Sequence, residues 1–349
     1  MGDAYSRRSL YFERTGQYKN SIDDIKLAYV NRVSFQHHTL LQRRFPILKL
    51  LKSKEKKDDD DYVFKLSYDA HANIPGIADC LALKVNDAFG HHIVTNRKLL
   101  AGDIIAIEEF FFNVVHVLTP DEPDKYFFSC AYCLKSGYHL HLIPCGGCQH
   151  TMYCSSECQD KANAEYHYIE CGLFETVVST ACVIPIRFFF RALAACNGNI
   201  DELQKLTQEA DTHSRCTIFD GVNQIVAAAY VSNRSIPCDD EIDKFAVMES
   251  WLRKYDKTAE MMRTHGTFIM EFITRMLHVV SSHMMSVNMY NVYMGTGAHP
   301  SDCVAYAPFI SLINHSCADN AFCIRQNKRV ILIANQTIEA GEQIFINYG

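Results

Sequence analysis

Eight residues of the kinds that bind metal ions lie between Cys130 and Cys171, and they constrain the fold of this chain more than any other feature. They form four short-spaced pairs: Cys130-x-x-Cys133, Cys145-x-x-Cys148, Cys154-x-x-x-Cys158 and His167-x-x-x-Cys171. A structural zinc ion takes four tetrahedral ligands, and thiolate and imidazole are its preferred donors. Eight ligands therefore predict two closed structural zinc sites and no catalytic metal centre in this segment.

Other interpretations of these cysteines are weaker. Ordinary buried cysteines would require seven of the chain's 15 Cys to fall by chance into consecutive ligand pairs. A disulfide framework is the better rival, but the N-terminus does not resemble a secretory signal, and in a reducing compartment this spacing indicates metal binding. A DNA-binding zinc protein is disfavoured, because the spacing is not that of a Cys2His2 finger followed by a recognition helix.

The composition is typical of a globular protein with more than one domain. The 349 residues are 48% hydrophobic and 21% charged, and the formal net charge is -6. This mild acidity argues against direct binding to a nucleic-acid backbone, which requires a basic surface. The sequence lacks an apolar run of the ~18 residues that a membrane helix needs, so we expect no membrane partner.

The N-terminal residues 1–52 have a helical pattern. Ile22, Ile25 and Ala28 share one face of a helix that follows a turn at Thr15-Gly16-Gln17. Two amphipathic helices joined by a short turn resemble a tetratricopeptide hairpin; two unrelated helices packed on the core explain the pattern equally well. Leu40 to Leu51 predict a later helix, and the run of charged residues after it predicts a solvated linker at 53–75.

The remainder of the chain predicts an α+β fold. Ile104–Ile107 follow a turn signal and predict a strand, and Phe110–Phe112 are candidate core residues. Residues 172 to about 290 are mostly helical in pattern, whereas Val330–Ala334 and Ile344–Ile346 are strand-like. The order strand, finger, helices, strand indicates one β domain interrupted by two insertions.

A second set of motifs lies near the end of the chain. Asn314-His315-Ser316-Cys317 is followed by Gly341-Glu342-x-Ile344 and then by Tyr348. Together with the cysteine segment, these motifs resemble the SET-and-MYND family of protein lysine methyltransferases, in the subgroup with N-terminal tetratricopeptide repeats. The resemblance divides the chain into tetratricopeptide-like helices (1–52), a linker (53–75), the first part of the SET domain (76–129), the MYND finger (130–171), a helical insert (172–300) and the C-terminal SET core (301–349).

The resemblance also implies roles for individual residues. One zinc ion would take Cys130, Cys133, Cys154 and Cys158, and the other Cys145, Cys148, His167 and Cys171. The cofactor implied is S-adenosylmethionine, and the residues expected to bind it are Gly90, His91, Asn288, Asn314 and His315. Tyr348 matches the active-site tyrosine of the family.

The implied reaction transfers a methyl group to a lysine of a histone or another protein. A free lysine has a pKa of about 10.4, so it must lose a proton before it can attack. The protein would then mainly align the reacting atoms. The resemblance further implies that the finger binds proline-containing partner peptides and that the protein is nuclear and cytoplasmic. The alternative function is a catalytically inactive scaffold with the same finger.

The chain departs from the family pattern at three places. His91 stands where the family has Arg, which would weaken contacts to the cofactor's carboxylate. Ala318-Asp319-Asn320 replaces x-Pro-Asn after the first SET motif. The chain stops at Tyr348-Gly349, before the cysteine-rich post-SET segment. From this we expect a fragment, a truncated gene model or a short isoform, cut at both ends.

Overall fold

The structure is a computed structural model in which a defined part of the chain is described. The described residues are 1–38, 41, 63–115, 130–135, 142–148, 151–171, 180–212, 225, 239–283, 285–287 and 303–348. Most of the predicted later N-terminal helix, residues 53–62 of the predicted linker and Asn288 lie outside these residues. The predicted domain boundaries therefore stay predictions.

The described residues combine helices with short strands. The α-helices of seven or more residues are α1 (Gly2–Arg14), α2 (Tyr18–Val30), α3 (Ser156–Ala162), α4 (Thr180–Ala195), α5 (Ile200–Thr212), α6 (Asp239–Lys254) and α7 (Asp256–His283). The strands are β1 (Ala70–His71), β2 (Ile74–Ala78), β3 (Leu81–Asn86), β4 (Gly90–Thr95), β5 (Ile104–Glu109), β6 (Phe112–Val115), β7 (Ile143–Pro144), β8 (Met152–Tyr153), β9 (Met285–Val287), β10 (Cys303–Tyr306), β11 (Asn314–His315), β12 (Ala321–Gln326), β13 (Arg329–Ala334) and β14 (Phe345–Ile346). The predicted α+β class is confirmed.

The chain divides into two compact units. One contains the described residues within Met1–Tyr62, Val115–Thr180 and Asn288–Cys303, and the other those within Val63–Val114, Ala181–Val287 and Val304–Gly349. The N-terminal helices and the cysteine segment therefore belong to the first unit, and most of the strands and helices α4 to α7 to the second.

The first unit begins with the predicted helical hairpin. Helices α1 and α2 are joined by a turn in which Gly16 has a φ of +78°, a conformation that favours glycine. Ile22, Ile25 and Ala28 are buried on one face of α2, as their spacing predicts, and they pack with Tyr5 of α1. The hairpin thus buries an apolar seam of its own.

A buried ion pair joins the same two helices. Two of the three guanidinium nitrogens of Arg8 donate to Asp24: Nε to Oδ2 and Nη2 to Oδ1, each at 2.5 Å. Both side chains are at least 98% buried. The third guanidinium nitrogen, Nη1, donates to the carbonyl of Leu142 at 3.1 Å. Because Leu142 precedes β7, Arg8 ties the hairpin to the cysteine segment within this unit.

The second unit is built on a five-stranded sheet in the order β1-β2-β5-β13-β12. Its pairs are antiparallel, and Ile331 of β13 lies opposite Ile107 of β5 and Ile324 of β12. Val330, Ile331 and Leu332 are all fully buried. Consecutive buried residues show that β13 is covered on both faces, as expected of a central strand.

Helix α4 packs on the β-rich part of this unit through aromatic side chains. The ring of Phe188 contacts those of Phe111, Phe112 and Tyr306 at centroid distances of 5.4 to 5.6 Å. Arg191 donates to the carbonyl of Phe111 at 3.1 Å. The prediction that Phe110–Phe112 are core residues is therefore correct, since none of the three is more than 6% exposed.

Among the helices of the described part of the chain, none is both long and apolar enough to span a membrane.

Candidate functional site

Three local structures position four of the eight predicted zinc ligands. The hairpin of β7 and β8 places Cys145 directly after one strand and Cys154 directly after the other. Cys158 lies in the first turn of α3, where its N–H donates to the Ser155 side chain that caps the helix. The π-helical turn Asn163–His167 follows α3 directly, and His167 is its last residue.

The first cluster contains Cys130, Cys133, Cys154 and Cys158, and their sulfurs all lie within 4.8 Å of one another. Cys154 Sγ is 3.5 Å from Cys133 Sγ and 3.6 Å from Cys158 Sγ. A tetrahedral zinc site with bonds of about 2.3 Å has sulfur–sulfur edges of about 3.8 Å, whereas a disulfide needs about 2.05 Å. The spacing fits a shared metal ion.

The second cluster contains Cys145, Cys148, His167 and Cys171. His167 Nε2 lies 3.2 Å from Cys145 Sγ and 3.7 Å from Cys148 Sγ, and the sulfurs of Cys145 and Cys171 are 3.7 Å apart. The imidazole is fully buried and directs Nε2 at the thiols. This mixed nitrogen and sulfur set is the donor chemistry that structural zinc prefers.

Hydrogen bonds favour a thiolate in each cluster. A hydrogen bond from the Cys133 thiol lowers the pKa of Cys130 to about 5, and one from the Cys148 thiol lowers the pKa of Cys145 to about 3. Backbone N–H groups of Cys133 and Gly147 also donate to these two sulfurs, at 3.5 and 3.4 Å. The same pairing with Cys130 raises the pKa of Cys133, and burial raises that of Cys154, so without an ion the first cluster holds thiols beside its thiolate. Zinc binds cysteine as the thiolate, and ion binding would therefore release protons.

The second motif set forms a compact junction in the other unit. Strands β11 and β14 pair in parallel, with Asn314 opposite Phe345 and His315 opposite Ile346. Ser316 extends the pairing, because its N–H donates to the carbonyl of Ile346 at 3.0 Å. Two motifs that lie far apart in the sequence are thus adjacent in the fold.

The junction fixes Tyr348 beside His315. The hydroxyl of Tyr348 donates to the carbonyl of Ile313 at 2.7 Å, and its N–H donates to Nδ1 of His315 at 3.2 Å. The two rings are 5.2 Å apart. Partial burial raises the pKa of Tyr348, so the hydroxyl is neutral near pH 7, although 63% of the residue remains exposed.

The start of β4 lies against this junction. The side-chain amide of Asn314 donates to the carbonyl of Phe89 at 3.0 Å, and the Phe89 ring contacts that of Phe345. The next residue, Gly90, has a φ of +59°, and a Cβ added there would meet no atom within 4 Å. An open, sharply turned backbone therefore flanks Asn314.

His91 follows this turn, and burial, followed by the charge of His92, lowers its pKa. His91 is therefore neutral near pH 7, unlike the arginine that it replaces in the family pattern.

Two polar residues to which the sequence analysis gave no role support the junction. Asn320 donates from Nδ2 to the Gln343 carbonyl and accepts at Oδ1 from the Phe345 N–H, both at 2.8 Å. Glu108, at the buried end of β5, accepts from the N–H groups of Phe309 and Ile310. The Asn after the first motif was a usable signal for Asn320, but nothing in the sequence distinguishes Glu108.

The structure thus brings most of the predicted site residues together in three groups. Each zinc-type cluster contains the four side chains that the resemblance assigns to it. Gly90, Asn314, His315 and Tyr348 are joined through the contacts around β11. Asn288 lies outside the described residues, and the roles of all these residues stay predictions.

Comparison with known proteins identifies the class. The SET domain family model matches residues 90–349. This match covers most of the chain, so the chain belongs to the SET domain family.

Particular relatives narrow the class. The protein-lysine N-methyltransferase SMYD4 of Gallus gallus is 21% identical, and the alignment covers 95% of this chain and 54% of that protein. A SET and MYND domain-containing protein of Dictyostelium discoideum is 24% identical over 74% of this chain and 44% of its own length. The predicted resemblance to SET-and-MYND proteins is confirmed, and the chain spans about half the length of these relatives.

Among solved structures, the SET domain of LSMT bound to lysine and AdoHcy is similar. It is 10% identical, with a TM-score of 0.34, over 77% of this chain and 49% of that chain.

Proposed function

We propose that this chain carries the methyl-transfer site of a protein-lysine N-methyltransferase that uses S-adenosylmethionine. The observation that carries the proposal is the parallel pairing of Asn314–His315 with Phe345–Ile346, which holds Tyr348 beside His315. The SET family membership and the methyltransferase names of the relatives support the same reaction class.

The residues of the junction have the chemistry that such a site needs. When bound, S-adenosylmethionine would supply an electrophilic methyl group on a sulfonium. Asn314 is half-buried and His315 is exposed, and their backbone would hold the adenine; the open turn at Gly90 allows a ligand to approach the backbone closely. His91, neutral near pH 7, would hold a ligand carboxylate less firmly than an arginine.

Tyr348 is suited to orienting the reacting groups. Its proton is already donated to the carbonyl of Ile313 at 2.7 Å, so the remaining lone pairs of the hydroxyl are free to accept contacts. A methyl group on a sulfonium carries polarised C–H bonds, and weak C–H···O contacts to this oxygen would align it. Such alignment accelerates a displacement without a covalent intermediate.

The first experiment is calorimetric titration of the zinc-loaded chain with S-adenosylmethionine. Micromolar binding is expected, and a folded chain with two zinc ions that binds none would favour the alternative, an inactive scaffold. Tyr348→Phe should then abolish methyl transfer to histone and cytosolic protein pools while cofactor affinity stays within about threefold.

A matched control for this variant is Tyr68→Phe. Tyr68 lies in the same unit, and its hydroxyl also donates one hydrogen bond, to Asp103, which is not one of the junction residues. This variant should keep both binding and transfer. Loss of cofactor binding in Tyr348→Phe alone would assign Tyr348 a structural role.

The cysteine segment is proposed to be a separate protein-interaction module. With four ligands for each metal ion, both clusters are closed, which suits a structural and not a catalytic zinc site. Proline-containing peptides are the proposed ligands, and the protein would act in the nucleus and the cytoplasm on histone or other protein lysines. Peptide titration before and after zinc chelation tests the binding role, because chelation should abolish it.

A further inference from the structure

Glu108 is a buried acid that caps the turn leading into the junction. Its Oε1 accepts from the N–H of Phe309 at 2.8 Å and its Oε2 from the N–H of Ile310 at 2.9 Å. These N–H groups open the 3-10 turn Ile310–Leu312, and only Ile313 separates that turn from Asn314. The carboxylate thus anchors the segment that carries the predicted cofactor-binding residues.

The carboxylate has no compensating cation among the described residues. Glu108 is 7% exposed, and the two backbone N–H groups are its hydrogen-bond partners in the described part of the chain. The titratable groups that face it from neighbouring strands are Tyr306 of β10 and Cys323 of β12. Burial raises the pKa of both, that of Cys323 to about 12, so both are neutral near pH 7.

Burial without a cation raises the pKa of Glu108 to about 7, although both backbone hydrogen bonds lower it. The ionised carboxylate accepts both N–H groups, whereas a protonated carboxyl has a hydroxyl that faces one of these donors. One of the two bonds must then lengthen. The order of the turn therefore depends on the charge of this one side chain.

We propose that Glu108 is a positioning residue, which in its ionised form holds the turn Ile310–Leu312, and through it Asn314 and His315, in the geometry that binds the cofactor. The cofactor part of this inference rests on the proposed function, whereas the ordering of the turn does not. Glu108 touches no reacting atom, and its effect passes through the backbone.

The test compares Glu108→Gln with Glu109→Gln. The glutamine keeps the size of Glu108 but presents an amide NH2 to one of the two backbone donors, as the protonated acid presents its hydroxyl. Glu109, the next residue of β5, is the matched control, because its side chain is 64% exposed and faces Lys328 at 3.4 Å.

The main measurement is amide hydrogen exchange over 309–316 at pH 8 and pH 6, corrected for the intrinsic exchange rate. At pH 8 Glu108→Gln should exchange at least about tenfold faster there than the wild type, the ratio expected for loss of one hydrogen bond to a charged group. At pH 6, where Glu108 is mostly protonated, the exchange rate of the wild type should approach that of the variant. Equal exchange of wild type and Glu108→Gln at pH 8 would overturn the proposal.

Two further measurements separate positioning from support of the fold. Cofactor affinity of Glu108→Gln should fall about tenfold at pH 8, while its melting temperature should rise, since a buried charge is removed. If Glu108 only supported the fold, Glu108→Gln would lower both the cofactor affinity and the melting temperature. If the wild type itself binds no cofactor, the proposed function fails, and hydrogen exchange still decides whether Glu108 orders the turn.

Discussion

Replacing Gly147 by alanine should empty one zinc site. A Cβ added at Gly147 would lie 2.6 Å from Sγ of Cys171, a member of the second cluster. Ordinary van der Waals contact begins near 3.4 Å, so the two groups must separate by about 0.8 Å. Because a zinc site tolerates ligand displacements of about 0.2 Å, Cys171 could not remain a ligand.

The size of the effect follows from the loss of one ligand of four. Structural zinc contributes about 10–16 kcal/mol in small fingers, so one ligand of four corresponds to roughly 2.5–4 kcal/mol. This free energy weakens zinc affinity by a factor of about 10² to 10³. The expected result is one tightly bound zinc ion per chain in Gly147→Ala instead of two, with the first cluster still filled.

The adjacent Gly146 supplies the control. A Cβ there would lie 3.5 Å from the end of the Met1 side chain, an ordinary contact. Gly146→Ala should therefore keep two zinc ions. The assay is elemental analysis after dialysis against a chelator of graded strength, with circular dichroism to monitor folding. Two tightly held zinc ions in Gly147→Ala would refute the assignment of Cys171 and its neighbours to one shared ion.

Three further predictions concern the contacts of Glu108, Asn320 and Arg8. Glu108 has a folded pKa of about 7 against an ordinary 4.5, so the free energy of unfolding of the wild type should fall by about 3 kcal/mol as pH rises from about 4.5 to 8. Urea unfolding at pH 5.5 and 8 should show about 2 kcal/mol of this loss in the wild type and none in Glu108→Gln. Asn320→Ala leaves buried backbone groups without partners and should lower the free energy of unfolding by about 2–4 kcal/mol in the same assay. The control Asn335→Ala removes an exposed hydrogen bond and should lower that free energy by less than about 1 kcal/mol. Arg8→Met leaves the buried Asp24 carboxylate without its cation and should lower the free energy of unfolding by about 3–5 kcal/mol. Adding Asp24→Asn should restore part of that free energy. Equal stability of Arg8→Met and the wild type would contradict a buried pair.

The sequence was sufficient where chemistry and spacing are local. The eight zinc-type ligands were predictable because ligand pairs such as Cys145-x-x-Cys148 carry their own signal, and the structure places them in the two predicted groups. The hairpin α1–α2 was equally accessible, since Ile22, Ile25 and Ala28 repeat at helical spacing. In both cases neighbouring residues determine the outcome.

Contacts between distant segments were predictable only through the family resemblance. The pairing of β11 with β14 joins two-residue strands that are too short to have a periodic pattern. Spacing alone predicted a longer strand at Ile344–Ile346, whereas the strand that pairs with β11 is Phe345–Ile346, and the N–H of Ile344 donates instead to the carbonyl of Ile93 in β4 at 2.8 Å. The resemblance brought the two motifs together, and its assignment of Asn288 falls outside the described residues.

Glu108 shows the limit of sequence reasoning most clearly. Glu108 and Glu109 are identical neighbours on β5, yet alternation along the strand buries the first and exposes the second. The partners of Glu108 lie 201 and 202 residues further along the chain, so no local pattern could have named them. A buried acid without a cation destabilises the fold, and a neutral residue of the same size would relieve that cost. On the proposal above, the carboxylate at this position serves the turn before Asn314 at a cost in stability.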